Sequence, residues 1–477
     1  MASSSSRSRR WRPSARTGAA SSGTSPRCST AARPASTQEP APVPGRNRCG
    51  PIERRGSTPR RLPFRREAAG GYDAGAATRP LPRGDDQVKN PHGRKPATAT
   101  FLANAGRDGR FAGSFVNPPV VHASTVLFDS IEDMVSPGAP YVYGRRGTPT
   151  LASLETALAE FEGAAGAVLC PSGLNAITAA ILPFVGAGDR VLFPDSVYGP
   201  ARTFADAVLA RLGVTADYYD PTDAGDVAAR LDPATKVVYV ESPGSNTMEM
   251  QDIPAIVEIA HAAQAVVVAD NTWATPLFCR PLDLGADVAL LAATKYIGGH
   301  ADIMMGTVTA GERCWPRLKE VHGALGLCVG PDDAYLALRG LRTLDVRLRR
   351  HHESALAVAT WLEGHHEVAR VLYPALPSDP GHALWRRDMT GASGLLSFVL
   401  RGWSEDEAAQ LIDGLSLFGI GYSWGGFESL VTIGSHGIRR TARPYHPEGT
   451  LIRLHVGLED PEDLMADLDE GLRRMRP

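Results

Sequence analysis

The sequence has no run of about 18 or more apolar residues, so no membrane-spanning helix is expected. Cysteine is scarce: six in 477 residues, at 28, 49, 170, 279, 314 and 328. None forms a CxxC pair, and none stands at zinc-ligand spacing from a histidine. That argues against a disulfide framework and against a structural metal, and it suits a reducing, cytoplasmic compartment. Cys170 reads as a small buried thiol. Excess charge is missing too: a formal net charge of −2 creates no field that would gather nucleic acid or an anionic membrane. Neither G-x-G-x-x-G nor Gly-Lys-Ser/Thr occurs, so a nucleotide-binding oxidoreductase lacks its fingerprint. What is present is a globular composition, 43% hydrophobic and 21% charged, with ample material for a large core.

Residues 1–95 differ from the rest. They are rich in Ser, Arg, Pro, Ala and Gly, and up to Arg66 they have no Lys and few acids, chiefly Glu39 and Glu53. Such a segment buries too little apolar surface to offset its ordering entropy, so it reads as a disordered extension. Its Arg- and Ser-rich, acid-poor character resembles an organellar transit peptide. The alternative is translation from a start codon placed too far upstream, and this is the favoured reading. No apolar h-region points to secretion.

Periodic structure begins near residue 100. Thr148-Pro149 reads as an N-cap followed by Pro at the first helical position. Leu151, Leu154, Leu158 and Phe161 then form an apolar helical stripe that Gly163 ends. Strands are expected at 166–170, 190–193, 236–240, 265–269 and 287–291, with helices at 174–182, 201–212 and 253–263. This alternation predicts an α/β domain with a mostly parallel sheet, which binds ligands at the carboxyl ends of its strands. From about 345 the texture changes to a smaller α+β domain. Helices are expected at 347–362, 405–413 and 461–475, and strands at 395–400, 415–420 and 451–456. His351 and His352, adjacent on one helix, point in different directions and read as a solvated face rather than a metal site.

Some residues suit one particular chemistry. Asp270 closes an apolar strand and so stands at the rim of the expected sheet. Lys295, in Ala292-Ala-Thr-Lys-Tyr296, follows another. A lysine behind a buried strand is costly unless neutralised, and burial lowers its pKa as a Schiff-base lysine requires. On these two alone, ordinary strand-end charges are the favoured reading. Ser172-Gly173-Leu174 opens a helix after a strand, where free N–H groups form an anion site. Tyr198 stands where an aromatic ring can stack on a flat heterocycle, although a lone Tyr there is more often a surface-loop residue. Arg453, in the otherwise apolar Leu451-Ile-Arg-Leu-His455, needs a carboxylate partner, its own or a substrate's. Tyr143-Gly-Arg-Arg-Gly147 suits a phosphate or a solvated loop. Together these are the parts that hold pyridoxal 5'-phosphate (PLP).

From about Ala103 onward the chain resembles the Cys/Met-metabolism family of PLP enzymes, and most of all its β-lyases. The resemblance rests on Tyr143-Gly-Arg-Arg-Gly-Thr148, Glu241-Ser-Pro-Gly244, Asp270-Asn-Thr-Trp273, Ala292-Ala-Thr-Lys-Tyr296, Gly340-Leu-Arg-Thr-Leu344, Tyr422-Ser-Trp-Gly-Gly426 and Leu451-Ile-Arg-Leu-His455, all in family order and spacing. It implies an aspartate-aminotransferase-type fold: an N-terminal arm at 96–147, a PLP-binding domain at 148–342 and a C-terminal domain at 343–477. It implies a homotetramer in which Tyr143 and Arg145 bind the phosphate of the neighbouring subunit's cofactor. Gly173, Leu174, Ala292 and Thr294 would contact the phosphate within the subunit, Ala292 standing where many relatives have Ser. Tyr198 would stack on the ring, Asp270 would hold the pyridine nitrogen, and Lys295 would carry the aldehyde and act as base. Arg453 would bind the substrate α-carboxylate, with Tyr422, Ser423 and Trp424 beside it. Asn246 stands near the expected site, but its register is uncertain by one residue. Family members with Tyr-Ser-Trp-Gly-Gly are β-lyases, whereas γ-lyases and γ-synthases tend to have Glu-Ser-Leu-Gly-Gly. Tyr422 therefore implies β-elimination on a thioether amino acid such as L-cystathionine, or on other cysteine S-conjugates. The rivals are a γ-lyase or γ-synthase of the same family, and a non-catalytic PLP-binding protein.

Overall fold

The computed structural model describes residues 96–135, 139–446 and 448–475, all within one compact unit that runs from Ala76 to Pro477. The extension expected over 1–95 lies outside the described residues. Short helices at Thr98–Asn104, Gly109–Ala112 and Ile131–Val135 lead to helix α1, Pro149–Glu162. Thr148 caps α1 by accepting the Leu151 N–H, and Gly163 closes it at φ 75°, a left-handed conformation that glycine adopts without steric cost.

Seven strands form the larger sheet: β1 Gly166–Cys170, β2 Arg190–Pro194, β3 Thr215–Tyr219, β4 Thr235–Glu241, β5 Val266–Asp270, β6 Val288–Leu291 and β7 Gly306–Ala310. Their order is β1-β7-β6-β5-β4-β2-β3, with every neighbouring pair parallel except those made by β7. Helices α2 Gly173–Ile181, α3 Gly199–Phe204 (continued by a π turn to Leu209), α4 Ala224–Arg230 and α5 Ile253–Ala262 supply crossovers. The central strands are covered on both faces, so β5 reads as a continuous apolar run instead of alternating. Val267 and Val268 have no exposed surface, and each contributes about 1.5–3 kcal/mol by leaving water.

Helices α6 Trp315–Leu325 and α7 Pro331–Leu341 lead to α8, Leu344–Glu363. A five-stranded sheet follows, built from β8 Val368–Leu372, β9 Leu395–Arg401, β10 Gly419–Ile420, β11 Leu430–Ile433 and β12 Gly449–His455, in the order β10-β11-β12-β9-β8. Helices α9 Glu405–Asp413 and α10 Pro461–Met475 accompany it. The boundary expected at 342/343 lies between α7 and α8.

Two expectations are corrected here. A strand over 415–420 shrinks to Gly419–Ile420, because the Ser416 and Leu417 amides are taken by the Asp467 carboxylate of α10 instead of a strand neighbour. His351 does not lie on a solvated face: it is fully buried, and its Nδ1 lies 2.8 Å from the Val456 carbonyl. His352 accepts the Ala392 N–H at 3.1 Å. Side-chain period alone does not reveal that the second sheet covers this side of α8.

Candidate active site

The parallel strands deliver carboxylates to one rim. Glu241 ends β4 and Asp270 ends β5, paired directly across the ladder. Glu241 is buried and Asp270 partly so, and desolvation raises both pKa values, Glu241 furthest, with the neighbouring Asp270 charge adding to it. Asp270 is better supplied with donors. Thr272 donates to its Oδ1 from both backbone and hydroxyl, and the Tyr239 hydroxyl donates to Oδ2 at 3.0 Å. These donors favour the ionised form of Asp270. Glu241 accepts the backbone N–H of Tyr198 at 2.9 Å and so fixes the loop that carries that ring. Tyr198 itself is half-exposed, and desolvation raises its pKa.

Lys295 follows β6 by four residues. Its Nζ donates to the Ser423 hydroxyl and stands 5.2 Å from the Trp424 ring centroid. Burial, reinforced by the Arg453 guanidinium, lowers its pKa to about 8 against the pull of Asp270. Arg453, on β12, donates to the Ser423 carbonyl at 3.3 Å and makes no ion pair with a carboxylate among the described residues. Burial lowers its pKa, opposed by the Tyr198 and Tyr422 hydroxyls. Tyr422 is 93% exposed. The larger sheet thus supplies Lys295, Asp270 and Tyr198, and the smaller sheet supplies Ser423, Trp424 and Arg453, all around one place.

Gly173 opens α2, where Ser172 caps the Asn175 N–H at 3.1 Å. The first-turn amides of a helix have no intrahelical acceptor and attract an anion. A Cβ on Gly173 would come 2.5 Å from the Ala292 Cβ, so only glycine lets these two backbones form a cradle. The Ala292 N–H donates to the Thr272 hydroxyl at 3.0 Å. Thr272 thereby ties the cradle to Asp270. Leu174 is partly exposed beside Gly173. The Thr294 hydroxyl already donates to the Met305 carbonyl at 3.1 Å, so donation to a phosphate requires it to turn away.

Tyr143 and Arg145 stand elsewhere. Arg145 donates to the Gly323 carbonyl of α6 at 3.2 Å, and its guanidinium lies 5.9 Å from the Tyr143 ring. Both are exposed, and none of their hydrogen bonds or ring contacts reaches Lys295 or Asp270. Asn246 has φ 62° in a loop facing Gly437. Tyr239 is not singled out in the sequence, and Glu241 and Thr272 enter only as parts of the family motifs, with no site role. A Thr two residues after a strand-end Asp is the one signal that was available, since such a pair closes a local turn. Among the described residues there is no group of three or more His, Cys, Asp or Glu arranged to hold a metal ion.

The fit to pyridoxal phosphate follows from the donor set. An amine of lowered pKa, a partly buried carboxylate and an anion cradle that a Cβ would fill converge at one rim.

Comparison with known proteins agrees. Residues 99–473 match the profile of Cys/Met metabolism PLP-dependent enzymes. The chain is 52% identical over 376 residues to a putative cystathionine beta-lyase of Rhizobium johnstonii, covering 78% of this chain and 95% of that protein. It is 46% identical over 387 residues to cystathionine beta-lyase MetC of Escherichia coli, covering 79% and 98%. The crystal structure of a cystathionine gamma synthase from Xanthomonas oryzae pv. oryzae, in complex with aminoacrylate and cysteine, superposes with a TM-score of 0.73 at 36% identity, covering 80% of this chain and 99% of that one.

Proposed function

The chain belongs to the Cys/Met metabolism PLP-dependent enzymes, and from that premise we propose that it is a carbon–sulfur β-lyase that cleaves L-cystathionine. With one water consumed, the products are homocysteine, pyruvate and ammonia. The observation that carries the reading is the convergence of the Lys295 amine and the unpaired Arg453 guanidinium on Ser423.

Pyridoxal phosphate is the cofactor, and when bound it supplies an electron sink for negative charge at the substrate Cα. Lys295 would hold it covalently, Asp270 would hold its pyridine nitrogen, Tyr198 would cover its ring, and Gly173, Leu174, Ala292 and Thr294 would hold its phosphate. Arg453 binds the substrate α-carboxylate, because a partly buried guanidinium with no protein carboxylate gains a partner when a ligand supplies one. That contact fixes which Cα bond is presented for reaction. The neutral Lys295 amine takes the Cα proton, and the resulting ammonium hands a proton to the departing sulfur. Ser423 aims the amine while the Trp424 face stabilises its cationic form.

Tyr143 and Arg145 serve a partner subunit's cofactor phosphate in a homotetramer that operates in the cytoplasm. Their exposure and the Arg145 contact with Gly323 support this. The test of the reaction is the keto acid released from L-cystathionine: pyruvate supports β-elimination, and 2-oxobutyrate reassigns the enzyme to γ-elimination.

A further inference from the structure

Four rings cluster behind Lys295. The Tyr296 centroid lies 5.3 Å from His351, 5.5 Å from Trp424 and 5.9 Å from His455, and the two imidazoles are 5.2 Å apart. His351 comes from α8 and His455 from β12, and both are buried. Each has one nitrogen engaged and one without a hydrogen-bond partner among the described residues.

The proton positions follow from these partners. His351 Nδ1 lies 2.8 Å from the Val456 carbonyl, so Nδ1 carries the proton and the unpartnered Nε2 is a lone pair. His455 Nε2 lies 3.1 Å from both the Gly425 amide nitrogen and the Gly426 carbonyl, and its Nδ1 is unpartnered. Were Nε2 protonated, the buried Gly425 N–H would lose its acceptor. With the proton on Nδ1, the Gly425 amide is satisfied. An unmet buried donor is costly, whereas an under-satisfied carbonyl such as that of Gly426 is better tolerated. The second tautomer therefore prevails. Burial lowers the pKa of His351 to about 4 and that of His455 to about 3, so both rings stay uncharged at neutral pH.

The Gly425 amide is a consequential anchor. Gly425 has φ 91°, and a Cβ there would meet the Lys295 Cα at 2.9 Å. Ser423, two residues earlier, holds a left-handed φ of 78° while its hydroxyl accepts from Lys295. We propose that His455 is a positioning residue for Lys295: its unprotonated Nε2 accepts the Gly425 N–H and so holds Ser423 against the Lys295 amine. The assignment rests on Lys295 being the catalytic amine.

Two substitutions of similar chemistry differ in reach. His455→Gln places an amide oxygen near the Nε2 position, whereas His455→Asn reaches only as far as Nδ1. The holoenzymes are compared by cofactor absorbance, kcat and KM on L-cystathionine. His455→Gln is expected to keep kcat within about fivefold of the parent. His455→Asn is expected to lose about tenfold to a hundredfold, as a displaced reacting group does, with a smaller change in KM. Equal losses in the two variants, or a better Asn than Gln variant, overturn the proposal. Only the soluble, yellow forms are compared, and if Gln alone yields no such form the prediction has failed. Failure of the underlying reading looks different, because Lys295→Ala would then keep its yellow form and its release of keto acid.

Discussion

Lys295 and Ser423, 128 residues apart, meet where the two sheets adjoin, the lysine Nζ donating to the serine hydroxyl. Ser423 has a left-handed backbone, which costs a non-glycine residue about 1–3 kcal/mol unless its surroundings hold it there. Its carbonyl meanwhile takes Arg453 at 3.3 Å. One strained residue thus orients both the amine and the guanidinium of the proposed reaction.

Lys295→Ala is expected to abolish the yellow covalent form and to reduce cystathionine cleavage by at least about 10²–10⁴-fold, the share a general base supplies. Asp270→Ala should bind the cofactor weakly, whereas Asp270→Glu should retain part of the affinity through its charge. Cofactor titration followed by absorbance separates these, and equal affinity in the two Asp270 variants counts against the charge argument.

Recombination of the cofactor-free protein with pyridoxal phosphate requires the neutral Lys295 amine. Its pKa is lowered from 10.5 to about 8, so the rate should rise about tenfold per pH unit below that value and level off above it. A rate still climbing at pH 10 would signal an unshifted lysine. The same shift has a stability sign. Between about 8 and 10.5 the unfolded chain binds the additional proton, so the cofactor-free fold gains stability as pH rises through that window.

Gly173→Ala brings a methyl group to 2.5 Å from the Ala292 Cβ. Overpacking at this level costs about 1–3 kcal/mol, and relief by backbone movement would open the phosphate cradle. Cofactor affinity, measured by equilibrium titration, should fall by about tenfold or more. Unchanged affinity would place the phosphate elsewhere.

The proposed sharing of the site between subunits makes a complementation test possible. Arg145→Ala and Lys295→Ala homomers should each be inactive. A mixed dimer has one site with both defects and one with neither, so random reassociation should restore about a quarter of parental activity. No recovery in verified mixed oligomers would confine Arg145 to its own subunit.

Much of this was legible in the sequence, for identifiable reasons. Asp270 and Lys295 stand out because buried parallel strands read as unbroken apolar runs, which make a charge at their ends conspicuous. β7, Gly306–Ala310, did not stand out, because Gly-Thr-Val-Thr-Ala has little apolar contrast and pairs antiparallel within a parallel sheet. Tyr239 carries no signal of its own within the expected strand 236–240; only the fold places its hydroxyl 3.0 Å from Asp270. His351 was misread because what covers a helix face lies about a hundred residues away in the chain, at Val456. Local period carries no information about that.

The most direct measurement is borohydride reduction of the purified yellow protein, followed by peptide mass mapping. The account predicts one phosphopyridoxyl group per chain, on the peptide that contains Lys295, with loss of pyruvate formation from L-cystathionine. A colourless protein that stays unlabelled with added pyridoxal phosphate, or a label on another lysine, would contradict it.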